Sequence, residues 1–171
     1  TDARALFERI AATTDARPLD VEALLAESAG HPMFLEELVR FAGAHEGRVA
    51  DLRLDDAIVA RASLLSETAR RLLEHVVASD APIAAATLAR AAGVDPAACA
   101  SQLAILHAER LVRLHMIRRD DSVEPYHDRV REAVYATLDE GRRARIHGDL
   151  GHALEVDGQP SEGLASHYAR A

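Results

Sequence analysis

The stretch PIAAATLARAAGVDPAACASQLAILHAERL, residues 82–111, constrains the fold of this chain more than any other. Its apolar residues recur at helical spacing over Ala84–Ala92 and again over Asp95–Arg110, and Gly93 interrupts them. A glycine just past a helix end accepts the left-handed turn that stops the helix. Asp95-Pro96 then supplies a capping carboxylate and a residue whose fixed φ suits the first helical position. Cys99, Leu103, Leu106 and Ala108 mark the second helix. Two helices joined by about four residues around a glycine predict a helix-turn-helix. The chain continues as LVRLHMIRRDDSVEPYH, where apolar and polar residues alternate about a turn expected at Arg119–Ser122. That is the pattern of a β-hairpin. A helix-turn-helix followed by one hairpin is a winged helix.

Helical patterns flank this unit. Ala5, Leu6 and Ile10 mark a short helix over Ala3–Ala12, and Thr13–Pro18 reads as a loop. Asp20 caps a helix with Val21, Leu24, Leu25 and Ser28 on one face, which Gly30 ends. Pro32 starts the next, with Phe34, Leu35, Leu38, Val39 and Phe41 as its stripe and Glu36 and Glu37 near its positive end. Gly43–Leu54 is looser, with an extended piece at Val49–Leu54, and helix resumes at Asp55. Ser66 caps Glu67–Ala78, with Leu72, Leu73, Val76 and Val77 inward. After the hairpin, Asp128 caps RVREAVYATL and Asp139 caps GRRARIHGDLGHALEV, until Gly158-Gln159-Pro160 interrupts before SEGLASHYARA. The expected fold is mainly α: a three-helix subdomain at 1–45, a connector and helix at 46–63, a winged helix at 64–138 and a helical extension at 139–171. Further copies of the last two helices would make a TPR-like array. Both ends fall close to helices and read as cuts within a longer protein.

The charged residues narrow the chemistry. All 20 basic residues are Arg, which excludes a Schiff-base lysine, a phosphate-loop lysine and a lysine general base. The net charge of −8 argues against a surface built for nucleic acid or anionic lipid. The lone Cys99 cannot form an internal disulfide, which points to a reducing cytoplasm. No apolar run is long enough to span a bilayer, so no membrane partner is expected.

Two classes of function can be weighed on the residues. A DNA reader offers Arg, Lys, Asn or Gln to bases and phosphates. The second helix of the helix-turn-helix offers Gln102 and Arg110, and the wing cluster Arg113, Arg118 and Arg119 is answered by Asp120 and Asp121. A winged helix used for packing within a larger protein fits this balance better than a DNA reader; the leading alternative is a transcription regulator contacting DNA, and a third is a helical scaffold for protein partners. For catalysis, His75, His107, His147 and His152 lie within helical patterns and read as locally satisfied side chains. His147 and His152 are spaced off one helical face, which rules out a metal pair. Cys99 reads as an inert core thiol. Neither GxxxxGK[ST] nor GxGxxG occurs, and no self-contained catalytic site is expected.

The order of parts resembles the back half of a STAND-class signalling ATPase, an AAA+-related P-loop family. The likeness is to the bacterial branch fused to Ser/Thr protein kinases, LuxR-type regulators or nucleotide cyclases. GHPMFLEELVRF, LSETARRLLEHVVASDAPIAAATLARAAGV and YHDRVREAVYATLDEGRRARIHGDLGHALE carry it, over nearly the whole chain. The resemblance implies that residues 1–45 are a lid whose Gly30-His31-Pro32 turn faces adenine. It implies that His127 and Asp128 match a Met-His-Asp motif whose histidine reaches the nucleotide phosphates, with Tyr126 replacing Met. On the residues alone Asp128 caps a helix and His127 ends a strand. With the resemblance, His127 sits before a helix whose N–H groups favour an anion. ATP or ADP would be held only in the full-length protein, by an upstream P-loop domain acting with this part. The implied partners are that domain, an attached effector domain and other copies in nucleotide-dependent oligomers.

Overall fold

The computed structural model describes residues 21–28, 31–44, 53–117, 120–158 and 161–171. The chain divides into two compact units, Thr1–Arg61 and Ala62–Ala171, with the boundary in the last turn of a helix.

The first unit holds α1 (Val21–Glu27), α2 (Pro32–Ala44) and most of α3 (Leu54–Ser63). The expected helix Ala3–Ala12, the Asp20 cap, and the residues of the expected extended piece up to Leu52 lie outside the described residues. Leu54 does not end an extended piece: it is the first residue of α3, and its N–H donates to Glu27 Oε1 at 3.0 Å. Leu24, Phe34, Leu35, Leu38, Val39 and Ile58 are buried. Buried Glu37 pairs with Arg61, so the one carboxylate on the apolar face of α2 does not stand without a cation.

The second unit runs α4 (Glu67–Ala78), β1 (Ile83–Ala84), α5 (Ala85–Ala91), α6 (Pro96–Ala108), β2 (Val112–Ile117), β3 (Asp120–Pro125), α7 (Asp128–Ala136), α8 (Glu140–Val156) and α9 (Ser161–Arg170). It is mainly helical, with a small antiparallel sheet in the order β1-β3-β2. The helix starts follow local chemistry. Ser66 Oγ accepts from Ala69 N–H, Asp95 Oδ1 accepts from Ala97 N–H and Ala98 N–H, and Asp139 Oδ1 accepts from Arg142 N–H. Gly93 takes φ +59°, and the bonds from Gly93 N–H to Arg90 O and Val94 N–H to Ala89 O close α5. The same pair of bonds closes α6 with Arg110 at φ 54°, a left-handed position that a side chain rarely takes.

Two expectations are corrected. The sheet has a third strand, since Ile83 pairs with Val123 and Ala84 with Ser122, so the helix begins at Ala85 rather than Ala84. The hairpin turn does not extend over Asp120–Ser122: Ile117 pairs with Asp120, and Asp120, Asp121 and Ser122 belong to β3.

The core of this unit lies where α4 and α5 meet α6, α8 and the sheet, with Leu72, Leu73, Leu88, Leu106, Leu111 and Leu150 fully buried. Polar side chains tie its edges. Arg131 Nη1 donates to Val77 O at 3.0 Å and to Ser79 O, meeting carbonyls that the end of α4 leaves open. Arg142 Nε and Nη2 donate to Glu74 Oε2 at 2.9 and 2.7 Å. Asp157, just past α8, accepts from Thr87 and Arg90 of α5.

Candidate functional site

His31 and Pro32 belong to the first unit, and Gly30 lies outside the described residues. Pro32 is the first residue of α2, where its missing N–H leaves no helical bond unmade. His31 N–H donates to Ser28 O at 2.8 Å, and Leu35 N–H donates to His31 O at 3.0 Å. The His31 ring is exposed and tilts 36° against Phe34, with the ring centroids 4.8 Å apart. The aromatic contact holds the imidazole at the corner where α2 begins.

His127 and Asp128 belong to the second unit, where β3 gives way to α7. Tyr126 N–H donates to Leu111 O at 3.0 Å, and the Arg113 guanidinium lies 4.8 Å from the centre of the Tyr126 ring. These contacts fix the chain just before the helix. The cap of α7 is His127, not Asp128: its Nδ1 accepts from Arg129 N–H at 3.2 Å, and Asp128 is the exposed first helical residue. Extended φ and ψ of −155° and 155° at His127 aim the ring back over the first turn. An accepting Nδ1 carries no hydrogen, so neutral His127 bears its proton on Nε2. The positive end of α7 lies beside the ring. The Asp128 carboxylate beside it opposes a second negative charge.

The other candidates behave differently. Gln102 Oε1 accepts from Ser66 Oγ at 2.8 Å, which ties the one amide of α6 to α4. The exposed face of α6 carries Ala97, Ala100, Ser101, Ala104, Ile105 and Ala108. Cys99 is buried and its thiol is pushed up by burial, as an inert core thiol would be. His107 and His152 are exposed, whereas His75 and His147 are buried.

Sequence reasoning missed two features of the second unit. One is an open cleft of about 670 Å³ whose lining includes Asp80, Ile83, Thr87, Asp157, Leu164 and His167. Asp80 accepts from Ser166 Oγ and from Arg170 Nη1, each at 2.7 Å. Burial raises the Asp80 carboxyl, but those two bonds together with the charges of Arg170 and His167 hold the group below its ordinary value. The other is a buried pair of imidazoles, His147 on α8 and His167 on α9. The signal for it was present: His147 falls on the Ile146–Leu150 stripe and pairs not with His152 but with a residue on the next helix.

Among the described residues no group of three or more His, Cys, Asp and Glu is placed to hold a metal ion. No helix among them is long and apolar enough to cross a membrane. Comparison with family models, with curated proteins and with solved structures returns no match.

Proposed function

We propose that this chain is the regulatory part of a multidomain STAND-class signalling ATPase. In this reading residues 1–45 are the nucleotide lid. The α5–α6 pair with the β1-β3-β2 sheet is a winged helix, and α8–α9 open a helical extension. Lid and winged helix clamp ADP or ATP supplied by an upstream P-loop domain and relay the nucleotide state to an attached effector.

The observation that carries the reading is His127 at the start of α7. Its Nδ1 accepts from Arg129 N–H, which sets the imidazole beside a helix N-terminus. A phosphate group suits that helix N-terminus, and Asp128 disfavours any greater accumulation of negative charge. The bound nucleotide supplies its phosphates as the group recognised; the lid corner at His31 and Pro32 supplies a surface beside the base. His127 then favours the closed, ADP-bound conformer only to the extent that it binds phosphate better there than in the open one.

The α6 face supports a packing role over DNA reading. The thirteen residues of α6 contain no Arg or Lys, and Gln102 is engaged by Ser66. We expect no gel shift with duplex DNA even at low salt, where phosphate contacts are strongest. A shift that weakens steeply with salt would favour the transcription-regulator reading instead. The proposal also requires a GxxxxGK[ST] motif encoded within about 250 residues upstream of Thr1. A coding sequence without it contradicts the proposal.

A further inference from the structure

One wall of the cleft is made by α9, and buried imidazoles hold α9 to α8. His147 Nδ1 and His167 Nδ1 lie 2.8 Å apart. Such a contact needs one N–H and one lone pair. His147 Nε2 lies 3.0 Å from the Tyr135 hydroxyl, which can donate or accept. The chain Tyr135–His147–His167 therefore closes with both rings neutral, in either proton order. One added proton can be held as an N–H⁺···N bond. A second puts a hydrogen on both Nδ1 atoms and sets two like charges face to face.

We propose that the neutral His147–His167 pair is a proton-operated clasp, which fastens α9 to α8 near neutral pH and releases it on acidification. Release removes Leu164 and His167 from the cleft wall. Gly151 brings the helices close at the same seam: a Cβ there would meet the Tyr168 ring at 3.0 Å.

The charges around the pair are few. Asp80, from the segment after α4, favours a charged ring, and Arg170 of α9 opposes it. Arg143 lies over the Tyr135 ring at 4.7 Å. On α4, Glu74 is taken by Arg142, and His75 faces Asp149 at 3.7 Å. Burial is the largest influence on both rings and holds both below the ordinary imidazole value, with the neighbouring His167 and Arg170 adding to it at His147 and Arg170 at His167. Released rings take up protons below about pH 6.5, whereas docked rings resist them. Docking is therefore complete above that pH and is lost as pH falls through the lowered values. The released state binds one or two more protons, so the docking constant falls about ten- to a hundredfold per pH unit in that window.

The test is amide hydrogen exchange of the 171-residue chain between pH 8 and pH 5, corrected for the intrinsic exchange rate. Protection of residues 161–170 is expected to fall at least about tenfold per pH unit below the window's upper edge, ahead of α4. In His147→Leu/His167→Phe the α9 protection is expected to be flat over the same range. Constant protection in the native chain, or an equal pH dependence in the double variant, overturns the clasp. Imidazole NMR of the native chain needs no variant: both rings are expected to gain protons together with the loss of α9 protection. A docked His147 or His167 that titrates at the ordinary value overturns it as well.

Discussion

Leu88→Ala is expected to lower the unfolding free energy by about 3 kcal/mol, read as a lower urea midpoint at unchanged slope. Leu88 is fully buried on α5, and α5 packs against α4, α6, α8 and the sheet. Elements on every side of the side chain are themselves fixed by caps and strand pairing, so the void left by three missing carbons cannot close. Leu64 gives the contrast. It is 86% exposed in the segment before α4, and Leu64→Ala is expected to stay within about 0.5 kcal/mol of the parent. Equal effects at the two leucines would mean that the core is not where α5 places it.

Arg142→Ala is expected to cost about 2 kcal/mol, because it leaves the Glu74 carboxylate buried without its cation. The figure is set below that for a fully buried pair because the Arg142 side chain is 41% exposed and water can reach the vacated site. Adding Glu74→Leu is expected to recover most of the loss, since the second change removes the charge that the first one stranded. A double-mutant cycle in denaturant measures this directly. Additive single effects would mean that Glu74 and Arg142 do not act as a pair.

The legible parts of the fold were those that short-range chemistry specifies. Ser66, Asp95-Pro96 and Asp139 cap helices because their oxygens reach N–H groups two or three residues away, and Gly93 ends α5 because only the backbone must turn there. β1 was not legible. Two residues show no alternation, and Ile83-Ala84 become a strand only because Val123 and Ser122 are brought beside them. The cap of α7 falls one residue before the place propensity gives it, for a related reason. Aspartate is the better capper by propensity, but the chain arrives extended at His127, which puts the imidazole over the first turn and leaves Asp128 inside the helix. The buried histidine pair was hidden by distance: His147 and His167 are 20 residues apart, and their meeting depends on how α8 and α9 pack.

Whether His127 holds a nucleotide phosphate is tested directly by the nucleotide content of the longer protein, with an upstream P-loop domain, that the proposed function requires. His127→Asp is the informative variant. It keeps a side-chain cap for α7, whose loss would by itself cost about 1 kcal/mol, and replaces a donor with a carboxylate. The parent protein is expected to retain ADP through purification. The variant is expected to keep the helical circular dichroism of its parent while its ADP affinity falls at least about tenfold, a change of 1.4 kcal/mol. Equal ADP retention by parent and variant would contradict the account and leave His127 as the cap of α7.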